Sequence, residues 1–157
     1  MTSLSVGDKA PHFVLPSNDE QEISLLALGG SKIVLYFYPK DDTSGCTAEA
    51  INFSSLKADF DEESTILIGI SPDSIASHKK FHQKHNLSIT LLADESKEVL
   101  KSYDVWKEKS MFGKKYMGVV RTTFLIDEKG IIAQIWKPVT LKNHAQSVLK
   151  MVKSLKQ

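Results

Sequence analysis

The run Ile33-Val34-Leu35-Tyr36-Phe37-Tyr38, stopped by Pro39, most constrains what this chain can fold into. A continuous apolar run without alternation predicts a strand covered on both faces, at the centre of a sheet packed between helices. A polar loop over 40–45 leads into a helix predicted from Cys46 to about Phe60, with Phe53, Leu56 and Phe60 facing the sheet. A strand is expected over 65–70. Ser71-Pro72-Asp73 then reads as a helix start, with Ser as N-cap, Pro at the first helical position and an acid in the first turn. That helix is predicted to run to about His85.

The alternation continues with a short strand over 89–92, a short helix over 96–103 and a strand over 119–126. Asp127-Glu128-Lys129-Gly130 reads as a turn into a strand over 131–136, an antiparallel hairpin. A last helix is predicted from Leu141 to about Lys153, with Ala145, Val148, Leu149 and Val152 on one face. Phe13 to Ile23 adds a small hairpin. The expected class is therefore α/β, a central mixed sheet flanked by helices. Without internal repeats, low-complexity tracts or linkers, residues 1–157 read as a single domain.

Composition narrows the function. Apolar residues at 41% and charged residues at 25%, with 5 Pro and 8 Gly, exclude disordered and fibrous classes. Lys plus Arg at 20 against Asp plus Glu at 19 leaves a net charge of +1, no bulk field for nucleic acid or an anionic membrane. The apolar runs fall far short of the roughly 20 residues of a bilayer span. Met1 to Asp8 shows neither a basic cluster nor an apolar signal segment, so a cytoplasmic, reducing compartment is expected.

His78, His82 and His85 would share one helical face, a spacing that suits a metal. Lys79, Lys80 and Lys84 crowd the same helix, so a solvated surface is expected there and no metal site. The stretch from Trp106 and Lys107 to Tyr116 is basic and aromatic, but Glu108 interrupts it and no nucleic-acid motif accompanies it. A Gly-x4-Gly-Lys-Ser/Thr phosphate loop is absent, and no cofactor is expected.

Cys46 is the only cysteine, which rules out a disulfide within the chain and any cysteine-rich metal cluster without a second chain. Redox chemistry at Cys46 must finish with a thiol from elsewhere. Lone cysteines are commonly small buried hydrophobes. The polar neighbours Asp41, Asp42, Thr43 and Ser44, and the flanking Gly45 and Thr47, argue against that here. At a helix start, unpaired N–H groups favour an anion, so a thiolate is expected to be stabilised.

The stretch from Tyr36 to Ala50, Tyr-Phe-Tyr-Pro-Lys-Asp-Asp-Thr-Ser-Gly-Cys-Thr-Ala-Glu-Ala, closely resembles the active-site segment of the peroxiredoxins. The likeness is to the subfamily called bacterioferritin comigratory protein or PrxQ. It spans nearly the whole chain, through Val6-Gly7-Asp8-Lys9-Ala10-Pro11, Ser71-Pro72-Asp73-Ser74, the run from Met111 to Val119, and Arg121-Thr122-Thr123-Phe124-Leu125-Ile126-Asp127. The resemblance implies a thioredoxin-like fold and reduction of hydrogen peroxide or organic hydroperoxides by a cysteine thiolate. It casts Cys46 as the peroxidatic cysteine, Thr43 as the hydroxyl orienting peroxide, Pro39 as the thiolate's shield, Arg121 as the adjacent cation and Glu49 as a supporting acid. It also suggests a monomer.

Each residue type suits that chemistry. A thiolate attacks the O–O bond, and a guanidinium stabilises both it and the charge growing on the leaving oxygen. A hydroxyl accepts and donates at once, and proline removes a competing N–H. Two positions depart from the family pattern. Many members carry a resolving cysteine five residues after the first, or in a more distant helix, whereas this chain has Ile51 at the former place and no other cysteine, and Ser44 stands where proline is usual. The sulfenic acid product would need an external thiol such as thioredoxin, glutaredoxin or glutathione, or Cys46 of a second copy. Two other readings use the same residues: a peroxide sensor relaying oxidation to a partner, and a binding protein that kept the fold without the chemistry.

Overall fold

The computed structural model describes residues 4–155. Strands β1 (Val14–Pro16) and β2 (Glu22–Ser24) form the small hairpin expected between Phe13 and Ile23, and a short 3-10 turn, Leu26–Leu28, follows. The apolar run becomes β3 (Lys32–Phe37), buried at every position. The helix expected from Cys46 to Phe60 is two helices, α1 (Ser44–Ser55) and α2 (Lys57–Glu62). The break at Leu56 lets both Phe53 and Phe60 turn fully inward, with ring centroids 6.1 Å apart.

Next come β4 (Thr65–Ser71), α3 (Ile75–Lys84), β5 (Thr90–Ala93) and α4 (Glu98–Ser102). The start of α3 differs from expectation. Ser71 still belongs to β4, and its hydroxyl donates to the Asp73 carboxylate at 2.6 Å. The N-cap is Ser74, whose Oγ accepts from the Ser77 N–H at 3.1 Å.

The segment expected as one strand over 119–126 is also divided. Strands β6 (Trp106–Met111) and β7 (Lys114–Val119) form an antiparallel hairpin, and β8 (Thr122–Ile126) begins after Val120 and Arg121. Phe112 and Gly113 both take positive φ, 52° and 80°, as a type I′ hairpin turn requires. Phe-Gly is a weak signal for that turn, and the flanking residues do not alternate. β9 (Ile132–Trp136) and α5 (His144–Ser154) close the described chain.

The main sheet has the order β5-β4-β3-β8-β9, with β3, β4 and β5 parallel and β8 and β9 antiparallel to their neighbours. This is the mixed sheet expected from the late hairpin. Strand periodicity sorts β3 between two cores. Ile33, Leu35 and Phe37 pack with Leu100, Tyr103, Phe124 and Ile132 on one face. Val34, Tyr36 and Tyr38 pack on the other with Cys46, Phe53, Phe81 and Val148, under α1, α2, α3 and α5. Among the described residues no helix is long and apolar enough to cross a membrane.

Candidate active site

The chain leaves β3, passes Pro39 and turns at Asp42, whose φ of 61° is left-handed. Thr43 is extended and N-caps α1 by position, while its hydroxyl donates to the Lys40 carbonyl at 2.9 Å. Its lone pairs are thereby left to accept. Cys46 is the third residue of α1, where the N–H groups of the first turn lack intrahelical partners and the helix dipole favours a negative charge. It is 1% exposed, inside the core that covers β3.

Arg121 arrives from the connection between β7 and β8. Its Nη2 donates to Cys46 Sγ at 3.2 Å and its Nη1 to Glu49 Oε1 at 2.7 Å. One guanidinium thus serves a sulfur and a carboxylate on the same helical face. Gly45 permits the approach. A Cβ there would lie 3.2 Å from Leu141 Cδ1 and 3.3 Å from Arg121 Nη2.

Burial pushes the Glu49 carboxyl up to about 7, against the opposing pull of Arg121. Its Oε2 and the Tyr36 hydroxyl are buried without hydrogen-bond partners among the described residues. Burial and Arg121 push His144 down to about 4, so its imidazole is neutral at pH 7. Its Nε2 pairs with Thr123 Oγ1 at 2.8 Å. Lys109 of β6 is held below the usual lysine range, by burial first and then by Arg121, with Cys46 opposing. Its ammonium therefore lies within the field of the site.

Of the five residues singled out in the sequence, Arg121 touches both Cys46 and Glu49. Thr43 lies one helical turn before the cysteine, exposed, and Pro39 is half-buried where the loop begins. The histidine face is a correction. His78 is fully buried, because the loop ahead of Cys46 folds over α3 and brings Asp41 against it. His144 had no sequence signal, and Tyr36 and Lys109 lay in stretches the sequence marked without a role of their own, since only strand pairing and helix packing bring them near Arg121.

The sequence profile of the AhpC/TSA family matches residues 6–135. A putative peroxiredoxin bcp of Coxiella burnetii is 46% identical over 147 residues, covering 94% of this chain and 97% of that protein. The chain belongs to the peroxiredoxin family. Peroxiredoxin Bcp of Bacillus subtilis is 42% identical over 99% of both chains. A PrxQ variant from Xylella fastidiosa superposes with a TM-score of 0.93 at 32% identity, covering 98% of each chain. A bacterioferritin comigratory protein of Xanthomonas campestris, described for its alkyl peroxide reduction activity, superposes at 0.87 with 36% identity over 90% of each chain. This peroxiredoxin has the thioredoxin-like fold of its family and is a thiol-dependent peroxidase.

Proposed function

We propose that Cys46 is the peroxidatic residue and that hydrogen peroxide and alkyl hydroperoxides are its substrates. The observation that carries this is the Arg121 Nη2 contact with Sγ at 3.2 Å, made at the start of a helix. Both features favour the thiolate. Sγ attacks one peroxide oxygen, the S–O bond forms as the O–O bond breaks, and the second oxygen leaves as hydroxide or alkoxide and takes a proton from solvent to become water or alcohol. Sulfur is oxidised to sulfenic acid and the peroxide is reduced. Arg121 stabilises charge on the sulfur and on the leaving oxygen, and Thr43, already donating to Lys40, accepts the peroxide's O–H. Glu49 holds the far side of the guanidinium, and Pro39 shields the loop without adding an N–H.

With one cysteine in the chain, the sulfenic acid condenses with an external thiol, releasing water and leaving a mixed disulfide that a second thiol reduces. Thioredoxin, glutaredoxin and glutathione are the candidate reductants. The same reading takes the chain as one domain over residues 1–157, acting as a monomer in the cytoplasm. The alkyl peroxide activity described for the Xanthomonas campestris relative supports the wider substrate class. The test is peroxide consumption with each reductant, for the parent and Cys46→Ser, with a sulfenic-acid trap read by mass spectrometry. A single adduct at Cys46 and loss of turnover in Cys46→Ser are expected. Turnover that survives the substitution contradicts the assignment.

A further inference from the structure

The loop between β3 and α1 is held from outside by α3. Asp41, 7% exposed, accepts from the Tyr38 hydroxyl on Oδ1 at 2.6 Å and from Ser77 Oγ on Oδ2 at 2.8 Å. His78 Nδ1 lies 2.7 Å from the same Oδ2. His78 Nε2 faces the Leu92 carbonyl at 2.9 Å, so both ring nitrogens are engaged within the protein. The Asp41 N–H donates to Asp73 Oδ2 at 2.8 Å, which ties the loop backbone to the end of β4.

A second pair lies outside the first. Asp42, exposed, accepts from Lys84 Nζ at 2.6 Å and pairs with His85 Nε2 at 2.9 Å. Consecutive loop residues are therefore gripped by one helix, the first pair buried and the second in solvent. The next residue is Thr43, and Cys46 follows a turn later. Asp41, Asp73 and His78 bring one donor atom each within 4.8 Å of one another, spacing that would suit a metal ion. Each of those atoms is already paired within the protein, which favours a hydrogen-bonded clamp.

We propose that α3 is a clamp on the peroxidatic loop, with Asp41 and His78 as positioning residues that set Thr43 and Cys46 for attack on peroxide. The inference rests on the assignment of Cys46. A buried network with every member satisfied holds one geometry, whereas a half-satisfied one loses it. Because misplacement by about 1 Å costs on the order of a hundredfold in rate, a loosened loop should be read directly in the chemistry.

The experiment compares the parent with Asp41→Asn, His78→Gln and the milder Ser77→Ala, each reduced and reacted with stoichiometric hydrogen peroxide and, separately, with iodoacetamide. Positioning predicts opposite movements. Oxidation of Asp41→Asn and His78→Gln slows by about tenfold to a hundredfold, while the ratio of alkylation to oxidation rates rises as Cys46 becomes easier to reach. Ser77→Ala shows a smaller change in the same direction. Ile132→Val, in the opposite core, lowers thermal stability without moving that ratio.

An unchanged ratio in folded Asp41→Asn and His78→Gln overturns the clamp, as does an equal rise in Ile132→Val. Amide exchange in the parent needs no variant to fold. The Asp41 N–H should exchange far more slowly than an open loop amide, and exchange at the open-loop rate contradicts the proposal. If parent Cys46 oxidises no faster than a free thiol, the peroxidatic assignment fails, while exchange and the alkylation rates still judge the clamp.

Discussion

The loop ahead of Cys46 and the β6–β7 hairpin are both polar excursions from the sheet, and both lead to the Cys46–Arg121 contact. The loop is tied at each step, through Asp41, Asp42 and Thr43, to α3, β4 and its own backbone. The hairpin is held mainly by its own ladder, with Trp106 and Val119 packed against the core at its base. At its tip Phe112 is 98% exposed, and Met111, Tyr116 and Met117 are exposed as well. Long-range hydrogen bonds to buried partners fix a catalytic geometry, and a two-stranded ladder alone is marginal. Chemistry therefore depends on the tied excursion and on the hairpin's base, and tolerates change at the tip.

The sharpest way to break that contrast is Arg121→Met. Loss of a donor aimed at developing charge costs about 10²- to 10³-fold in rate, and here it also leaves Glu49 buried without its cation. Single-turnover peroxide oxidation should fall by that factor, and a fall below about threefold would show that the contact is structural only. Gly45→Ala should come next. Its Cβ would press on Leu141 and on Arg121 Nη2, and relieving such overpacking costs about 1–3 kcal/mol or moves the guanidinium. Oxidation about tenfold slower is expected, checked by the same assay beside a thermal melt.

Buried titratable groups around Arg121 give a third prediction. Glu49 is raised from 4.5 to about 7, so its contribution to stability is full below 4.5 and is lost as pH rises through 7. His144 is lowered from 6.5 to about 4, so its contribution is present above 6.5 and is lost as pH falls through 4. Each is worth about 3 kcal/mol at most, and between about pH 4.5 and 6.5 they oppose one another. Urea unfolding of the parent should change little across that window from these two groups. Glu49→Gln should lose stability steadily as pH falls from 6.5. A flat profile in Glu49→Gln would contradict the assignment of the opposing slopes.

Much of the fold was readable because its signals were periodic. The unbroken run at β3 marked the central strand, and Ala145, Val148, Leu149 and Val152 marked the inner face of α5. The β6–β7 hairpin was hidden because Phe112-Gly113 turns where Asn-Gly would be expected and because its strands are largely exposed on both faces, which leaves no alternating apolar pattern to read. Cys46 stood out as a lone thiol in a polar loop. Its contact with Arg121 rested on the family resemblance, since spacing along the chain says nothing about strand pairing. His78 was misread for a related reason. A lysine-rich helix looks solvated until another segment folds over it, and Asp41 comes from a different element. The upward shift of the Glu49 carboxyl arises from burial, which only the packed structure defines.

The smallest effect is expected at the hairpin tip. Phe112→Ser should alter peroxide oxidation by less than about twofold and stability by no more than about 0.5 kcal/mol, as for a surface substitution. A larger loss of oxidation would mean that the tip shapes the site, and the contrast between the two excursions would collapse.

The most direct test of the central claim is rapid-quench oxidation of the reduced protein by stoichiometric hydrogen peroxide, with the product weighed by mass spectrometry, for the parent and for Arg121→Met. Fast formation of one sulfenic acid on Cys46 in the parent, slowed at least about a hundredfold in the variant, is the predicted result. Parent oxidation no faster than a free thiol's, or equal rates in the two proteins, would contradict the account.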